Sequence, residues 1–286
     1  MLILVAGGTG MLGAPVVQRL LAGGARVRVL TRRAGNDTGL SNTNAEIVSG
    51  DVTAPATLGA ALRGCDALHV SLRGANDPAS YEAVENRGLA ALLHCARDQG
   101  VRHVSYLSGA GRVQGSETLL PVATKLAAEA LVKNSGMPYT IFRATHFMES
   151  LDLFIRKKAA TILGAQPHRY HYLAAEDFAT MVLHAIERPP VAGRVLYAFG
   201  PERFTMREAL EKYMAVMYPG GRIQTLPLPI ARFIARLTGN RDLQFATLLF
   251  EGFAAIGEDG DPQEANELLG TPQTRLDSWL TGRVGA

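Results

Sequence analysis

The first thirteen residues constrain this chain more than any other stretch, because an apolar run leads directly into regularly spaced glycines. Leu2 to Val5 is an unbroken apolar run, which is typical of a strand buried on both faces of a parallel sheet. Gly7, Gly10 and Gly13 follow with G-x-x-G-x-x-G spacing, and Ala14 to Leu21 is patterned as a helix. A strand, a glycine turn and a helix in that order predict a loop that lets the backbone approach a dinucleotide pyrophosphate, with free N–H groups of the helix N-terminus facing the anion.

The end of the next strand bears on which dinucleotide the loop would hold. Arg26 to Thr31 alternates apolar and polar residues and predicts the second strand. A cofactor with a free ribose 2′-hydroxyl usually meets an Asp or Glu near this point, but Arg32 and Arg33 follow here. Guanidinium groups suit a 2′-phosphate through charge and paired hydrogen bonds, so the pattern favours NADP(H) over NAD(H). The alternative is a pair of solvated arginines at a strand end.

Further strands and helices alternate along the chain at short intervals. This alternation predicts parallel strands joined by crossovers, with helices on both faces. The expected fold is therefore α/β, a Rossmann-type doubly wound parallel sheet with a small, mainly helical C-terminal lobe. We expect residues 1–150 to form the dinucleotide-binding core and residues 151–286 to form a substrate or lid lobe interleaved with it in one compact unit.

The later strands are predicted at Glu46–Ser49, Ala67–Ser71, Val101–Leu107, Tyr139–Arg143, His168–Leu173, Arg194–Phe199 and Ile223–Leu226. The later helices are predicted at Ala54–Leu62, Pro78–Gln99, Leu120–Ser135, Met148–Thr161, Glu176–Arg188, Met206–Met217, Ile230–Leu237, Leu243–Phe253 and Arg275–Leu280.

Composition and charge argue against several classes of function. The net charge of +3 is small for 286 residues, and the basic tract Arg156 to Lys158 is predicted as a solvated helix face, so nothing suggests a nucleic-acid partner. No apolar run approaches the ~20 residues of a membrane helix, and the N-terminal run lacks the basic segment of a signal peptide. Cys65 and Cys95 lack C-x-x-C spacing, so we expect them to be free thiols in a reducing compartment. The protein is therefore expected to be cytoplasmic. His168 and His171 have no carboxylate or cysteine spacing beside them that would predict a metal site.

Polar side chains follow several predicted strands at the same edge of the sheet. In open parallel sheets ligands bind outside the carboxyl ends of the strands, so Ser71, Ser108 and Lys125 are expected to meet the residues after Arg143 in one crevice. Asp51 follows the third strand and is expected either beside the adenine or as the cap of the next helix. The expected cofactor contacts are Gly7, Thr9, Gly10, Leu12, Gly13, Arg32, Arg33, Asp51, Val52, Ser71, Lys125 and Thr145. Val52 joins Asp51 near the adenine, and Thr145 is expected near the nicotinamide.

Several stretches, in this order, carry a resemblance to a known family. They are GGTGMLG at Gly7 to Gly13, GD at Gly50-Asp51, YLSGAG at Tyr106 to Gly111, TKLAAEALVKNSGMPYTIFR at Thr124 to Arg143, AAEDFATMVLHAIERP at Ala174 to Pro189 and LLGTPQTRLDSWL at Leu268 to Leu280. The chain resembles the atypical and extended branches of the short-chain dehydrogenase/reductase superfamily, most closely the NmrA-like group. The resemblance spans nearly the whole chain, and it is more specific for fold and nucleotide than for substrate.

The resemblance also implies roles near the nicotinamide. In the superfamily a lysine on the helix after the fifth strand binds the nicotinamide ribose and lowers the pKa of a tyrosine one helical turn earlier, which acts as general acid. Lys125 matches that lysine, but the tyrosine position is Pro121, which has no proton to give. The tyrosine-centred carbonyl reduction therefore does not carry over. Ser108 matches the family's polar residue at the end of the fifth strand, and its role is open without the tyrosine.

Two kinds of function follow from the resemblance. Some NmrA-like members are NADPH-dependent reductases of quinones, dyes, azo compounds or phenylpropanoids. Others bind NADP(H) without turnover as redox sensors or regulatory partners, and a third relative is the accessory NADPH-binding subunit of respiratory complex I. We expect an NADPH-dependent reductase of a small conjugated acceptor, with the non-catalytic NADP(H)-binding partner protein as the alternative. The superfamily often forms paired-helix dimers but the NmrA-like group includes monomers, so the oligomeric state stays open.

A reductase of this kind needs a proton donor in place of the missing tyrosine. His146 follows the sixth strand in ATHFME, and an imidazole there is able to protonate a hydride acceptor near neutral pH. The alternative is a polar residue in a pocket wall. Tyr81 is a weaker candidate, with core packing as its alternative, and Tyr106 is expected in the core. The expected catalytic residues are His146, Lys125 and Ser108.

Overall fold

Seven parallel strands form the central sheet, and six short strands form two smaller sheets. The computed structural model describes residues 1–32, 39–110, 120–188 and 192–284. The strands are β1 (Leu2–Ala6), β2 (Arg26–Thr31), β3 (Glu46–Ser49), β4 (Ala67–Val70), β5 (His103–Gly109), β6 (Tyr139–Ala144), β7 (His146–Phe147), β8 (Ile155–Arg156), β9 (Ala159–Leu163), β10 (Tyr170–Leu173), β11 (Arg194–Tyr197), β12 (Arg203–Phe204) and β13 (Arg222–Leu226).

The order of the large sheet is β3-β2-β1-β4-β5-β6-β11, and every neighbouring pair in it is parallel. Chain order therefore reverses between β1 and β4, and the crossovers run outward from that point. Such a reversal opens a crevice at the carboxyl ends of the strands, where open α/β sheets bind their ligands. The predicted Rossmann-type parallel sheet is confirmed.

Helices cover both faces of this sheet because its inner strands are apolar on both sides. They are α1 (Gly13–Ala22), α2 (Leu58–Leu62), α3 (Pro78–Tyr81), α4 (Leu89–Asp98), α5 (Leu120–Lys133), α6 (Ala175–Glu187), α7 (Met206–Met217), α8 (Leu228–Thr238), α9 (Arg241–Ala255), α10 (Gln263–Leu269) and α11 (Leu276–Val284). Residues 82–88 join α3 to α4 as a π-helix. On one face α1 and α6 bury a cluster around Phe178, whose ring meets the Phe142 ring edge-on at 5.4 Å. On the other face α2, α4 and α5 bury Leu58, Leu92 and Val132.

The C-terminal part is mainly helical and has an apolar cluster of its own, which includes Tyr172, Tyr213 and Phe250. It is nevertheless interleaved with the sheet, because β11, α6 and α10 all contribute to the first cluster. The boundary at residue 150 between two units stays a prediction.

The predicted helix over Met148–Thr161 is wrong. Residues 148–154 form a 3₁₀-helix, and β8 and β9 then form an antiparallel hairpin. Lys157 and Lys158 turn this hairpin with φ of 49° and 61°, the left-handed conformation that a two-residue hairpin turn requires. The strand β9 also pairs in parallel with β13, more than sixty residues away, and this pairing outweighs the local helical pattern. The basic tract Arg156 to Lys158 is exposed as predicted, but on a hairpin tip.

One helix was not predicted from the sequence. Helix α10 follows the acidic turn after α9 and packs Ala265 and Leu269 into the sheet's first cluster. Its seven residues are too few to show a helical period clearly. Within the described ranges, none of the helices is both long and apolar enough to cross a bilayer.

Candidate functional site

The glycine loop between β1 and α1 is shaped by contacts that only glycine permits. Gly7 has φ of +90°, and a Cβ there would lie 2.2 Å from the carbonyl oxygen of Ser71. A Cβ on Gly13 would lie 2.1 Å from the Gly7 carbonyl oxygen, so the start of α1 sits directly on the loop. Leu12, the N-cap, contributes no side-chain cap. Ala14 donates its N–H to the Gly10 carbonyl at 2.9 Å and Pro15 has none, so of the first three residues of α1 it is Gly13 whose N–H is left for an anion. This loop fits a dinucleotide pyrophosphate.

A cavity of about 470 Å³ extends from the glycine loop along the carboxyl ends of the central strands. Of the residues predicted to bind or react, it is lined by Gly7, Gly10, Leu12, Gly13, Ser71, Ser108, Lys125, Thr145 and His146. Thr9, Arg32, Asp51 and Val52 do not line it, and Arg33 lies outside the described residues. The predicted convergence of Ser71, Ser108 and Lys125 on one crevice is therefore present in the structure.

The far end of the cavity is closed by helix α9. Leu249, Gly252, Phe253 and Ile256, from α9 and its C-terminal end, line the cavity opposite the strands. Tyr81 is buried, also lines the cavity, and packs its ring 5.1 Å from that of Phe245 on the same helix. A planar apolar ligand would thus meet aromatic and aliphatic side chains beyond the glycine loop.

The ends of β2 and β3, beside the loop, carry an exposed arginine and a carboxylate. Arg32 is exposed directly after β2. Asp51 accepts hydrogen bonds from the backbone N–H and the hydroxyl of Thr53, both at 2.8 Å. The Thr53 backbone bond is the main reason that the pKa of Asp51 is lowered, and Arg32 lowers it further. The expected helix cap at Asp51 is absent, because the next helical turn begins after Ala54 without a side-chain cap. Val52 is buried.

Lys125 on α5 is held by a carboxylate that sequence reasoning missed. Its Nζ lies 2.8 Å from Oε2 of Glu85, whose side chain is almost fully buried. The other oxygen of Glu85 accepts the backbone N–H of Gly74 at 3.1 Å. Burial works against the charge of Lys125, but Tyr106 and Glu85 outweigh it and hold the pKa of the lysine above its ordinary value. Lys125 therefore presents a fixed positive charge at the cavity wall.

Ser108 belongs to a second buried network. Its hydroxyl donates to Oε1 of Glu129 at 2.7 Å. Arg143 also donates to this carboxylate, from Nε to Oε1 at 3.1 Å and from Nη2 to Oε2 at 3.0 Å. Nη1 of Arg143 also donates to the Tyr197 hydroxyl at 2.8 Å. Because the proton of Ser108 is directed at Glu129, its oxygen lone pairs remain for a donor in the cavity.

His146 lies among three aromatic rings, at the part of the cavity that α9 lines. Its ring stacks on Tyr172 at 5.4 Å and meets Tyr170 and Phe253 at 4.8 and 5.2 Å. Burial lowers the pKa of His146 to about 4, and the charge of Glu258 only partly offsets this. The histidine is consequently neutral near pH 7, and it can donate one N–H but brings no extra proton.

A third network joins the cavity to the acidic turn after α9. The Thr145 hydroxyl donates to Oε1 of Glu258, and Nδ1 of His171 bonds Oε2 of the same carboxylate. The backbone N–H of His171 reaches Oε1 at 3.0 Å, and Nε of Arg203 lies 3.7 Å from Oε2. Burial works against the charge of Glu258, but these hydrogen bonds lower its pKa overall.

Sequence reasoning missed Glu85, Glu129 and Glu258. Glu129 lies four residues after Lys125, on the same face of one helix, so helical spacing offered a signal for it. Glu258 lies in an acidic turn far along the chain from Thr145, and no short-range sequence pattern indicates that the two residues are in contact. Across the described residues, no three His, Cys, Asp or Glu side chains come together so as to hold a metal ion.

The fold and the glycine loop together define a Rossmann-type dinucleotide-binding protein, and comparison with known families agrees. A family model described as NAD(P)H-binding matches residues 7–189. The chain therefore belongs to this NAD(P)H-binding family, in keeping with its resemblance to the NmrA-like, atypical short-chain dehydrogenases/reductases.

Three known proteins illustrate the similarity. The chain is 26% identical over 250 residues to the photosystem II assembly factor Ycf39 of Trieres chinensis, covering 84% of this chain and 76% of that protein. It is 31% identical over 238 residues to (4-alkanoyl-5-oxo-2,5-dihydrofuran-3-yl)methyl phosphate reductase of Streptomyces griseus, covering 81% and 79%. The crystal structure of Citrobacter sp. triphenylmethane reductase complexed with NADP(H) matches with a TM-score of 0.75 over 99% of both chains at 18% identity, a likeness of fold.

Proposed function

We propose that this protein is an NADPH-dependent reductase that reduces a small conjugated acceptor bound under helix α9. The observation that carries the proposal is the continuous cavity, which runs from the glycine loop to the aromatic end around His146 and Phe253. A dinucleotide held by the loop would leave this apolar end for a planar acceptor. When bound, the reduced nicotinamide supplies the hydride. The similarity to named reductases, one of an unsaturated lactone and one of a cationic dye, supports the same reaction class.

Three side chains have proposed roles at the reacting end. Lys125 would hold the nicotinamide ribose and keep a positive charge beside the site, because its own partner carboxylate is buried. Ser108 would accept a hydrogen bond from the carboxamide or from the acceptor, since its proton is already given to a carboxylate. His146 would donate its N–H to an acceptor oxygen while staying neutral. Thr145 would lie beside the nicotinamide.

The activity is tested by following NADPH oxidation with a quinone, an azo dye and an unsaturated lactone. Loss of a preorganised charge typically costs about a hundredfold or more in kcat, so Lys125→Met should lower turnover by about that factor. Lys212→Met is the matched control, because Lys212 pairs with Asp277 on the surface, away from the cavity. No oxidation with any acceptor would contradict the proposal.

The proposed preference for NADPH over NADH depends on Arg32. Arg32 follows the second strand, at the position where proteins that bind NAD usually have an acidic residue that holds the ribose 2′-hydroxyl. Calorimetric titration of NADPH, NADP, NADH and NAD should show tighter binding of the phosphorylated pair in the wild type and loss of that preference in Arg32→Ala. Arg63→Ala is the control, since Arg63 is an exposed arginine that does not line the cavity. Equal affinities for NADPH and NADH in the wild type would overturn the preference.

A second candidate function is non-catalytic NADP(H) binding that regulates a partner protein. It is favoured by an exposed apolar row on α8, where Ile230, Phe233 and Leu237 are 50%, 66% and 75% exposed. Apolar patches of this kind often mark interaction sites. The similarity to a photosystem II assembly factor is compatible with this function. A partner whose affinity is the same with NADPH and with NADP would remove the sensor function.

A further inference from the structure

Near Thr145, a chain of polar side chains leads from the cavity toward solvent. Thr145 lines the cavity, and its hydroxyl points to the carboxylate of Glu258. The Glu258 side chain is 3% exposed and bonds Nδ1 of His171, whose side chain is 21% exposed. The three groups thus form an unbroken hydrogen-bonded chain from the cavity wall, through a buried carboxylate, to a side chain in contact with water.

We propose that Thr145, Glu258 and His171 form a proton relay that protonates the reduced acceptor. This inference rests on the proposed reductase function. In the family the general acid is a tyrosine, but this chain has Pro121 at that position, and the relay would take over the tyrosine's role. Thr145 would be the catalytic group, because it lines the cavity in which the acceptor would bind. Glu258 and His171 act through it.

Each proton that leaves the relay is replaced from its solvent end. An unsaturated carbonyl acceptor that receives a hydride at carbon becomes an enolate, and the enolate oxygen takes the hydroxyl proton of Thr145 as a new O–H bond forms. The relay starts from an imidazolium of His171, which gives its Nδ1 proton to Glu258. The resulting carboxyl group gives a proton to the Thr145 oxygen as the Thr145 hydroxyl turns from Glu258 to the enolate. Glu258 is then ionised again and His171 is neutral with its proton on Nε2. A hydronium ion from solvent restores the imidazolium, so each turnover consumes one NADPH and one solvent proton.

Other groups around the cavity are less suited to this role. Lys125 is bound to a buried carboxylate that favours its charged form. Ser108 donates to Glu129, and that carboxylate is bound by Arg143, whose guanidinium keeps its proton and cannot resupply one. The Tyr170 hydroxyl donates to the Phe253 carbonyl oxygen at 2.7 Å, and burial raises its pKa to about 12. His146 is neutral and has no described polar partner that would restore a lost proton.

The charged groups around Glu258 are compatible with proton transfer through its carboxylate. Arg203 approaches from β12 and His171 from β10, and both stabilise the carboxylate. His146 and Tyr170 are the titratable groups that face it from the cavity side, and neither is charged near neutral pH. Glu258 therefore rests ionised and is protonated only in passing, by a neighbour that can recover its proton from water.

Two acceptors with different proton needs test the relay. A cationic triphenylmethane dye becomes its neutral leuco form by accepting hydride alone, whereas an unsaturated lactone needs hydride and a proton. General acid catalysis is worth about 10²–10⁴-fold, so Glu258→Gln should lower the ratio of the lactone rate to the dye rate by about a hundredfold at saturating NADPH. Thr145→Val should lower the ratio similarly, and Thr145→Ser should restore it. Glu264→Gln, at an exposed ion pair with Arg194, is the matched control and should keep the wild-type ratio.

The outcomes separate the relay from the reductase function. A wild type that reduces neither acceptor overturns the proposed function and the relay with it, and one that reduces only the dye overturns the relay. Equal losses on both acceptors in Glu258→Gln would make the carboxylate merely structural, and an unchanged ratio would remove it from the reaction.

A second readout does not depend on turnover. In the protein without cofactor, NMR of the side-chain carboxyl carbons, assigned by through-bond correlation to the backbone, should show that the pKa of Glu258 lies below the ordinary value of a glutamate. Its titration midpoint should rise in Thr145→Val, because a hydrogen bond to the charged form is lost. A midpoint that does not move would mean that the two groups are not coupled, and would contradict the relay even if Glu258→Gln failed to fold.

Discussion

Replacing Glu129 by glutamine should destabilise the protein strongly, although the side chain keeps its shape. The Glu129 side chain is 2% exposed and Arg143, which it binds through two hydrogen bonds, is 17% exposed. Breaking a buried ion pair by removing one charge typically costs about 3–5 kcal/mol. Arg143 keeps its bond to Tyr197 and some contact with water, so we expect the lower end, about 3 kcal/mol.

The same substitution at an exposed pair provides the control. Glu264 and Arg194 are 2.8 Å apart, as close as many buried pairs, but their side chains are 49% and 52% exposed. Exposed pairs contribute about 0–1 kcal/mol, so Glu264→Gln should change the free energy of unfolding by less than about 1 kcal/mol.

Urea unfolding followed by circular dichroism measures both variants, with the difference in midpoint converted through the slope. In a chain of this size about 3 kcal/mol corresponds to a fall in Tm of roughly 5 °C. A further variant with Glu129→Leu and Arg143→Met should recover much of the loss, because no charge is then left buried alone. If Glu129→Gln and Glu264→Gln both lowered the free energy of unfolding only slightly, the argument that burial makes the Glu129–Arg143 pair important for stability would be refuted.

Three further predictions concern the loop, the buried histidine and the core. Gly13→Ala should weaken NADPH binding at least tenfold by calorimetry, since its Cβ would press on the loop carbonyl at 2.1 Å, whereas Gly59→Ala has open space and should leave affinity unchanged. The folded-state pKa of His146, about 4, lies below its ordinary 6.5, so the unfolded chain gains a proton first as pH falls and stability is lost from pH 6.5 toward 4. His146→Phe should therefore reduce the loss of unfolding free energy between about pH 7 and 4.5 by about 2 kcal/mol, and parallel pH curves would contradict this. Phe178→Ala, at a fully buried ring, should cost about 3–5 kcal/mol in urea unfolding, against less than about 0.5 kcal/mol for Phe233→Ala on the exposed face of α8.

The parts of the fold that were predictable are those encoded by local patterns. The strands β2 and β3 and the helix α7 have the predicted bounds, because alternation and a 3.6-residue period are visible in one short window. The glycine loop was predictable for a related reason, since its shape depends on residues within one turn. The hairpin of β8 and β9 was not, because β9 is fixed by pairing with β13.

The candidate site was predictable only in part. Strand ends gave Ser71 and Ser108, since topology brings such positions together, and Lys125 on α5 came from the family resemblance. The acidic partners depend on long-range contacts: Glu85 is 40 residues from Lys125, and Glu258 is 113 residues from Thr145. The neutral state of His146 was likewise not readable from sequence, because it follows from the rings packed around it.

The position of α9 over the cavity has a consequence for how the protein is made. A chain emerges from the ribosome N-terminus first, at about 5–20 residues per second. The glycine loop and strands β1 to β6 are therefore available well before Phe253 and Ile256, which line the cavity from α9 and its C-terminal end. Ala265 and Leu269, which complete the cluster against the first strands, arrive later still. During synthesis the protein thus acquires its glycine loop well before the α9 wall of the cavity, and a chain released early would carry the one without the other.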